Sequence, residues 1–275
     1  MSSPTGRPPV PEPMKRAVRR RCGFGCVLCG VPIYQIDHIV DYSQVQRHEE
    51  ENLTLLCPTH HQDKTHGRMS VETVSAANAD PVNLRAGVTP PHTLYFGSGP
   101  PEIEMGRNWF RWTRGGYLVA LAVDNLTLVG FRQEEGGLLL ALLVLDEYNL
   151  PLLQVVDSEL QIASAQWDVE ITGPRIILRQ GPGDIILQLL LQPPSKVTVE
   201  RARFRCNGVI IEAGTEGLFV NGENVGLGNA YETPVGYAIG RRDRFPSVGC
   251  RIPRVLRYQA LRAGSDQAGN GAGGG

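Results

Sequence analysis

Residue types that bind metal ions or transfer protons are concentrated in the first quarter of the sequence. Five of the six histidines and four of the six cysteines precede residue 69. In a reducing compartment cysteines remain thiols, so their clustering favours metal binding over disulfide formation. The chemistry of the chain is therefore expected in this segment.

Four of these residues form two close pairs with the spacing of a zinc site. Two residues separate Cys26 from Cys29, and two separate Cys57 from His60. Zinc binds four thiolate or imidazole ligands as a tetrahedron, and a pair at this spacing fits a tight turn. The pattern predicts a structural Zn²⁺ that stabilises a module with little apolar core. The alternative is two unrelated surface pairs.

A hairpin followed by a helix is predicted to carry these residues. A short basic helix over 14–22 ends at a pair of glycines, and two apolar strands follow at 33–40 and 52–56. Pro58 suits the first position of the next helix, which ends near Gly67. Neighbours on a helix diverge by about 100°, so His60 can face the zinc while His61 faces a different site.

Taken together, these segments resemble the HNH family of the ββα-metal nucleases. The resemblance covers residues 14–68 and rests on CVLCG, YQIDHIV and ENLTLLCPTHHQDKTHG, in that order. Each piece is weak alone, but all of them in order at family-like separations are specific. The resemblance implies a zinc-bound ββα module in which His38, Asn52 and His61 match the histidine, asparagine and histidine after which the family is named.

The resemblance also implies roles in phosphodiester hydrolysis. His38 is expected to be the general base, because an imidazole titrates near neutral pH. Asp37 and His61 are expected to hold one catalytic divalent ion, Mg²⁺ or Mn²⁺, whose identity the sequence leaves open. Asn52 is expected to clamp the hairpin and orient His38. Because adjacent strand residues point to opposite faces, Asp37 and His38 can share a site only where the strand ends or kinks.

Basic residues near the motif are candidates for phosphate contacts. Lys64 shares a helix face with His61, and the first helix carries the run Arg19, Arg20 and Arg21. Such contacts position nucleic acid without reading its sequence. The alternative for both is a solvated helix face.

Other polar residues in this segment are expected to have no part in the chemistry. Cys22 is interpreted as a spare thiol used in packing, and the alternative is an alternate zinc ligand. His48 and His66 are interpreted as exposed loop residues, and Asp41 and Asp63 as surface charges. These residues belong to types that bind metals, but they lie outside the pairs described above.

The net charge of −1 conceals an uneven distribution along the chain. Residues 1–68 hold 9 Lys and Arg against 7 Asp and Glu, and residues 69–240 hold 11 against 19. Residues 241–262 hold seven arginines against one aspartate. Basic ends suit a polyanion, and DNA is the expected partner, whereas the acidic middle argues against a broad nucleic-acid face. The arginine cluster could equally bind the acidic region of the same or a neighbouring subunit.

The sequence divides into five segments with an α+β fold class. A flexible proline-rich arm over 1–13 precedes the module at 14–68 and a linker at 69–92, where Asp80-Pro81 and Pro90-Pro91 break helix patterns. Residues 93–262 are predicted to form an all-β domain, a sandwich or a roll. Ten short apolar runs between 117 and 220, and the turn signal Asn221-Gly222, support this prediction. Residues 263–275 read as a disordered, glycine-rich tail.

A cytoplasmic location without membrane contact is expected. The proline-rich start lacks the apolar run of a secretory signal, and the longest apolar run, 138–145, is too short to span a bilayer. These features exclude a transporter or a membrane anchor within this sequence.

Two functions from different classes fit these observations. The first is a metal-dependent DNA endonuclease of a microbial defence or mobile-element system, with the β domain controlling activity or assembly through a protein partner or self-association. The second is a non-catalytic zinc module that binds nucleic acid or protein. The second needs the four zinc ligands but neither Asp37, His38 nor Asn52, so their presence favours the first.

Overall fold

The computed structural model describes residues 8–240 and 244–253. Most of the predicted arginine cluster at 241–262, the tail at 263–275 and the first seven residues of the proline-rich arm lie outside the described residues. Backbone contacts divide the chain into two compact units. The first comprises Met1–Tyr95 and Pro151–Leu191, and the second comprises Phe96–Leu150 and Gln192–Gly275.

The helices of the described residues all lie in the first unit. They are α1 (Glu12–Arg21), α2 (Tyr42–Val45), α3 (Pro58–Thr65), α4 (Val71–Ala79) and α5 (Val82–Ala86), with a 3-10 turn at Glu50–Asn52. The helix α3 begins at Pro58, where a missing N–H costs no helical hydrogen bond. None of these helices is long and apolar enough to cross a membrane.

The strands begin with the hairpin predicted from the sequence and then dominate the chain. Up to residue 145 they are β1 (Gln35–His38), β2 (Leu53–Leu56), β3 (His92–Thr93), β4 (Glu102–Met105), β5 (Asn108–Arg111), β6 (Tyr117–Val123), β7 (Leu126–Glu134) and β8 (Gly137–Leu145). From residue 151 to 206 they are β9 (Pro151–Val156), β10 (Glu159–Ile162), β11 (Asp168–Thr172), β12 (Arg175–Gly181), β13 (Asp184–Gln192) and β14 (Lys196–Cys206). The last are β15 (Val209–Gly214), β16 (Gly217–Val220), β17 (Glu223–Gly226), β18 (Ala230–Tyr231), β19 (Val235–Ile239) and β20 (Cys250–Ile252).

Strand pairing within the first unit is antiparallel throughout its described ladders. The strands β1 and β2 pair with each other, β10 pairs with both β3 and β9, and β12 pairs with both β11 and β13. The first unit therefore combines the small helix-and-hairpin module with two groups of β strands. One group is β3, β9 and β10, and the other is β11, β12 and β13.

The second unit contains strands only, among its described residues. The strands β6, β7 and β8 form an antiparallel meander, to which β19 and then β20 add in parallel. A second ladder runs from β14 through β15 and β16 to β17, and β4 joins β14 in parallel. The turn between β16 and β17 has positive φ at Asn221 (49°) and Gly222 (86°), as a two-residue hairpin turn with this sequence requires.

The fold class predicted from the sequence is confirmed. A small module of helices and one hairpin comes first, and every element assigned from residue 92 onward in the described chain is a strand. All ten apolar runs predicted as strands overlap a strand of the structure. Period-2 alternation bounded by turn residues is a strong local signal, which explains this agreement.

Residues 69–92, expected to be a linker, are folded onto the module instead. Ser70 caps α4 by accepting a hydrogen bond from the backbone N–H of Thr73 at 3.2 Å. Val74 on α4 is fully buried in the core of the module, beside Val18 of α1 and Leu55 of β2. Asp80-Pro81 does end α4, but α5 starts directly afterwards. The proline signal located a helix boundary correctly and did not mark an unstructured segment.

A buried ion pair joins α1 to β11 within the first unit. Arg19 donates from Nε to Asp168 Oδ1 at 2.7 Å and from its terminal nitrogen to Oδ2 at 2.9 Å. Asp168 is fully buried and also accepts from Arg179 at 2.8 Å. Beside this pair, the Arg16 guanidinium lies 4.3 Å from the centre of the Trp167 ring, and Tyr34 donates to the carbonyl of Val169 at 3.2 Å. The helix is thus held by directional contacts as well as by apolar packing.

The buried ion pair predicts a large loss of stability when one partner is neutralised. Asp168→Asn leaves the Arg19 guanidinium buried without its countercharge, so we expect the free energy of unfolding to fall by about 3–5 kcal/mol. Urea titration of the full chain measures it. The matched control is Asp80→Asn, which removes the exposed ion pair with Arg85 and is expected to cost less than about 1 kcal/mol. Equal losses from the two substitutions would contradict this view of Asp168.

Candidate functional site

The four predicted zinc ligands converge at one point. Their donor atoms, the sulfurs of Cys26, Cys29 and Cys57 and a ring nitrogen of His60, lie within 4.8 Å of one another. Among the described residues, this is the one cluster of three or more such side chains close enough to hold an ion. The group draws on three places in the chain: the turn after α1, the end of β2 and the first turn of α3.

The distances within the cluster fit a tetrahedral zinc ion. The sulfurs of Cys29 and Cys57 are 3.8 Å apart, and His60 Nδ1 lies 3.2 Å from Cys26 Sγ and 3.4 Å from Cys57 Sγ. A tetrahedron with zinc–sulfur bonds of about 2.3 Å and a zinc–nitrogen bond of about 2.0 Å has edges of about 3.8 and 3.5 Å. The donor set and its spacing are therefore compatible with a zinc site in which His60 binds through Nδ1.

The turn that carries Cys26 and Cys29 is anchored on both sides. Val27 donates its backbone N–H to the carbonyl of Leu55 at 3.0 Å, which attaches the turn to β2. The buried amide of Asn83, on α5, donates to the carbonyls of Gly23 and Gly30 at 3.0 and 2.8 Å. A side chain at Gly30 would place its Cβ 2.2 Å from the Asn83 oxygen, and its φ is +78°, so glycine is required there.

The thiols of Cys26 and Cys22 lie in different environments, and the hydrogen bond that lowers the pKa of Cys26 raises that of Cys29. The hydrogen bond with Cys29 lowers the pKa of the Cys26 thiol to about 4, and a thiolate is the form that binds zinc. Burial instead raises the pKa of Cys22 to about 11. Cys22 lies outside the cluster, fully buried, with its sulfur 3.6 Å from the oxygen of Asn78. Its predicted role in packing agrees with this position.

Asn52 ties the two ends of the long hairpin loop together. Its side-chain oxygen accepts from the backbone N–H of Val40 at 2.8 Å, and its side-chain nitrogen donates to the Val40 carbonyl at 2.9 Å. The backbone N–H of Ile39 donates in addition to the Asn52 carbonyl at 2.7 Å. These three bonds fix the backbone segment that directly follows His38.

Asp37 and His61 face each other between β1 and α3. Asp37 Oδ1 lies 3.7 Å from His61 Nε2. Two ligands bound to one ion at about 2.1 Å are roughly 3.0 Å apart at right angles and 4.2 Å apart in line, so the observed separation is compatible with a shared divalent ion. Asp37 Oδ2 is buried and makes no well-directed hydrogen bond. The Lys64 ammonium lies 3.1 Å from this oxygen, so Oδ1 is the carboxylate oxygen that faces His61.

Lys64 lies behind this pair and does not project into solvent. Its ammonium is 3.1 Å from Asp37 Oδ2 and 2.9 Å from Asp41 Oδ1, and its side chain is only 6% exposed. Burial lowers the pKa of Lys64, but the ion pairs with Asp41 and Asp37 outweigh it, so the pKa lies above its ordinary value. The expectation of a phosphate contact is corrected here, because this ammonium is already shared by two carboxylates.

His38 is the most enclosed residue of the group. The strand β1 ends at His38, which meets the geometric condition for Asp37 and His38 to serve one site. His38 is 1% exposed, and its ring packs against Tyr42 and His48, with ring centres 5.4 and 5.2 Å away. His38 Nε2 lies 3.1 Å from His48 Nδ1.

The three arginines predicted to grip phosphate occupy different environments. Arg19 is buried in the ion pair with Asp168, which corrects the expectation that it contacts a ligand. Arg21 donates to the carbonyls of Glu50 and Leu53 at 2.8 and 2.7 Å, so it holds the loop. Arg20 is exposed and lines an open pocket of about 510 Å³. Of the three, Arg20 is the one available for phosphate.

Two residues near His38 lie in surroundings that differ from the expectation drawn from the sequence. His48 was expected to be an exposed loop residue, yet it contacts His38 directly. Tyr42, on α2, completes the aromatic group, with its ring centre 5.0 Å from that of His48. One signal was present in the sequence: the loop returns to the strand end at Asn52, so residues midway along it can fold back over His38.

Comparison with known proteins identifies one segment of the chain. No curated protein and no solved structure matches the chain. Residues 20–67 match the model of the HNH endonuclease family, and this match covers far less than half of the sequence. It includes the four members of the Cys/His cluster and the residues Asp37, His38, Asn52 and His61. The chain therefore contains an HNH module at residues 20–67, joined to an all-β region that lies outside the match.

Proposed function

We propose that the HNH module is an active, metal-dependent endonuclease that hydrolyses phosphodiester bonds in DNA. One observation carries the proposal: Asp37 Oδ1 and His61 Nε2 lie 3.7 Å apart at the end of the strand that also carries His38. A non-catalytic zinc module has no need of this arrangement.

Each residue has a distinct task in the proposed reaction. Asp37 and His61 would hold a divalent ion, Mg²⁺ or Mn²⁺, whose positive charge would offset the charge developing on the phosphate. His38 removes a proton from water as the oxygen attacks phosphorus and the bond from phosphorus to the 3′ oxygen breaks. Because His38 is buried, the reacting water has to be one enclosed with the substrate. Asn52 keeps the backbone after His38 in place.

The zinc cluster is proposed to be structural. All four ligand positions are filled by protein side chains, which leaves no open position for substrate. The cluster joins the end of β2 to the start of α3, and His61 directly follows the ligand His60. The ion would therefore fix the direction in which His61 points toward Asp37.

The β region is proposed to control or assemble the module. The support is the buried ion pair between Arg19 and Asp168, which attaches α1 of the module to β11. A strand that shifts in response to a partner, or to a second copy of the chain, would act directly on this helix. We further propose a cytoplasmic setting, since none of the six cysteines is paired in a disulfide bond and reduced cysteines suit a reducing compartment.

Removal of the proposed base is expected to abolish most cleavage. His38→Ala should lower the rate of nicking of supercoiled plasmid DNA by about 100-fold to 10,000-fold, because proton transfer contributes that much. The rate is measured for the full chain with Mg²⁺ and with Mn²⁺, beside the wild type and His66→Ala. His66 is exposed and bonds only within its own helix end, so this control should cut normally.

Two results would count against the endonuclease proposal. Equal nicking by wild type and His38→Ala would exclude His38 as the base. Absence of cleavage by the zinc-loaded wild type with every divalent ion, on DNA and on RNA, would favour the non-catalytic module that binds nucleic acid or protein.

Loss of one cluster ligand is expected to release zinc. Purified wild type should retain about one zinc ion per chain after dialysis, and Cys29→Ala should lose it and unfold at a lower temperature, because structural zinc contributes folding free energy. Elemental analysis and thermal unfolding measure the two effects. Cys250→Ala, a cysteine outside the cluster, is the matched control. Full zinc retention by Cys29→Ala would contradict the assignment.

Arg20 is expected to contribute one phosphate contact. Arg20→Ala should weaken binding of duplex DNA and reduce the slope of log affinity against log salt by about 1. Fluorescence anisotropy at several salt concentrations, with Ca²⁺ in place of Mg²⁺ to prevent cleavage, measures both quantities. Arg85→Ala removes an exposed arginine on α5 and should leave the slope unchanged. An unchanged slope for Arg20→Ala would remove Arg20 from the interface.

A further inference from the structure

His48 is linked by hydrogen bonds on both sides of its ring. Its Nδ1 lies 3.1 Å from His38 Nε2, and its Nε2 lies 2.8 Å from the backbone carbonyl oxygen of Pro8. A chain of three groups therefore runs from the proline-rich arm to the buried imidazole at the end of β1. The HNH motif itself does not include His48 or Pro8.

The chemistry of the outer group fixes the protons of the inner two. A carbonyl oxygen can only accept, so His48 Nε2 must donate to Pro8. In neutral His48 the other ring nitrogen, Nδ1, then carries the lone pair and accepts from His38. His38 is thereby protonated at Nε2, and the lone pair of its neutral ring lies on Nδ1. The direction of both hydrogen bonds follows from one backbone carbonyl.

We propose that His48 is the positioning residue that holds His38 in this tautomer and orientation, so that Nδ1 of His38 is the nitrogen that accepts a proton from water. The inference deepens the proposed function, on which it rests for the role of His38 as base. His48 acts through His38, as the acidic partner of a catalytic histidine acts in other hydrolases.

The surroundings make the link rigid. Tyr42 packs edge-on against His38 and tilted against His48, so both rings have fixed neighbours. Val10, two residues after Pro8, packs against the core of the module, which anchors the carbonyl that His48 needs. The clamp by Asn52 closes the same loop from its other end. Pro8 and Val10 are therefore part of the surroundings of the site.

The tautomers can be measured without any cleavage assay. Long-range ¹H–¹⁵N correlation spectra of the full-length, zinc-loaded protein distinguish Nδ1–H from Nε2–H for each histidine. We expect the Nε2–H form for both His38 and His48 at a pH where both are neutral. In His48→Phe, which keeps a packed ring but has no ring nitrogen, His38 should lose its single fixed tautomer. An Nδ1–H form of His38 in the wild type would overturn the proposal.

Kinetics separate positioning from packing. His48→Phe should lower kcat for plasmid nicking with Mn²⁺ by about 10-fold to 100-fold, with KM unchanged, because His48 does not bind substrate. His48→Asn should retain most of kcat, since its side-chain oxygen is as many bonds from Cα as Nδ1 is and can accept from His38. The folded state of each variant is checked by zinc content and thermal unfolding, with His66→Ala as the matched histidine control.

Every outcome bears on the inference. Full activity of His48→Phe would show that packing alone suffices, and a higher kcat would show that His48 merely covers His38; either result overturns it. Equal loss in His48→Asn and His48→Phe would do the same. A different result is that the wild type shows no cleavage, while the tautomers are as expected and change in His48→Phe. In that case the contact between His48 and His38 is supported and the endonuclease proposal fails.

Discussion

Four donor atoms within 4.8 Å of one another impose the constraint on which the module depends. They come from the turn after α1, the end of β2 and the first turn of α3, so these three places have to meet. Once they meet, His61 is oriented by its neighbour His60, and the hairpin that carries Asp37 and His38 is aligned with α3. Small domains bury a smaller fraction of their apolar surface than large ones, so a bound ion would add to the packing of the core around Val18, Leu55 and Val74.

Much of the site could be predicted from sequence because its signals are local. Each pair of zinc ligands lies within four consecutive residues, so its spacing alone predicts the ligand geometry. The pairs are Cys26 with Cys29 and Cys57 with His60. The end of β1 at His38 is not among these local signals, because the apolar run continues to Val40 and the strand ends two residues earlier. The alternation of apolar residues in the β region predicts a strand wherever it occurs, because it reflects the two faces of a single strand and needs no distant partner.

The features that sequence did not reveal depend on partners far away in the chain. Arg19 looks like its neighbour Arg20 in sequence, and only Asp168 makes the difference between a buried ion pair and an exposed charge. Lys64 looked like a solvated or phosphate-binding lysine because nothing local shows that two aspartates enclose it. His48 looked like a loop residue because its contacts require the loop to fold back over the strand. In each case a tertiary contact overrides a correct local pattern.

The buried ion pair has a consequence for how the protein is made. Arg19 and Asp168 are 149 residues apart in the chain, and ribosomes add about 5–20 residues per second. For roughly 7 to 30 s of synthesis, the helix that supports the HNH module exists while its carboxylate partner does not. A module whose supporting helix has its ion-pair partner on a distant strand reaches its final form late in translation. During translation there is thus an interval in which the HNH module has been synthesised but the ion pair that supports its first helix has not yet formed.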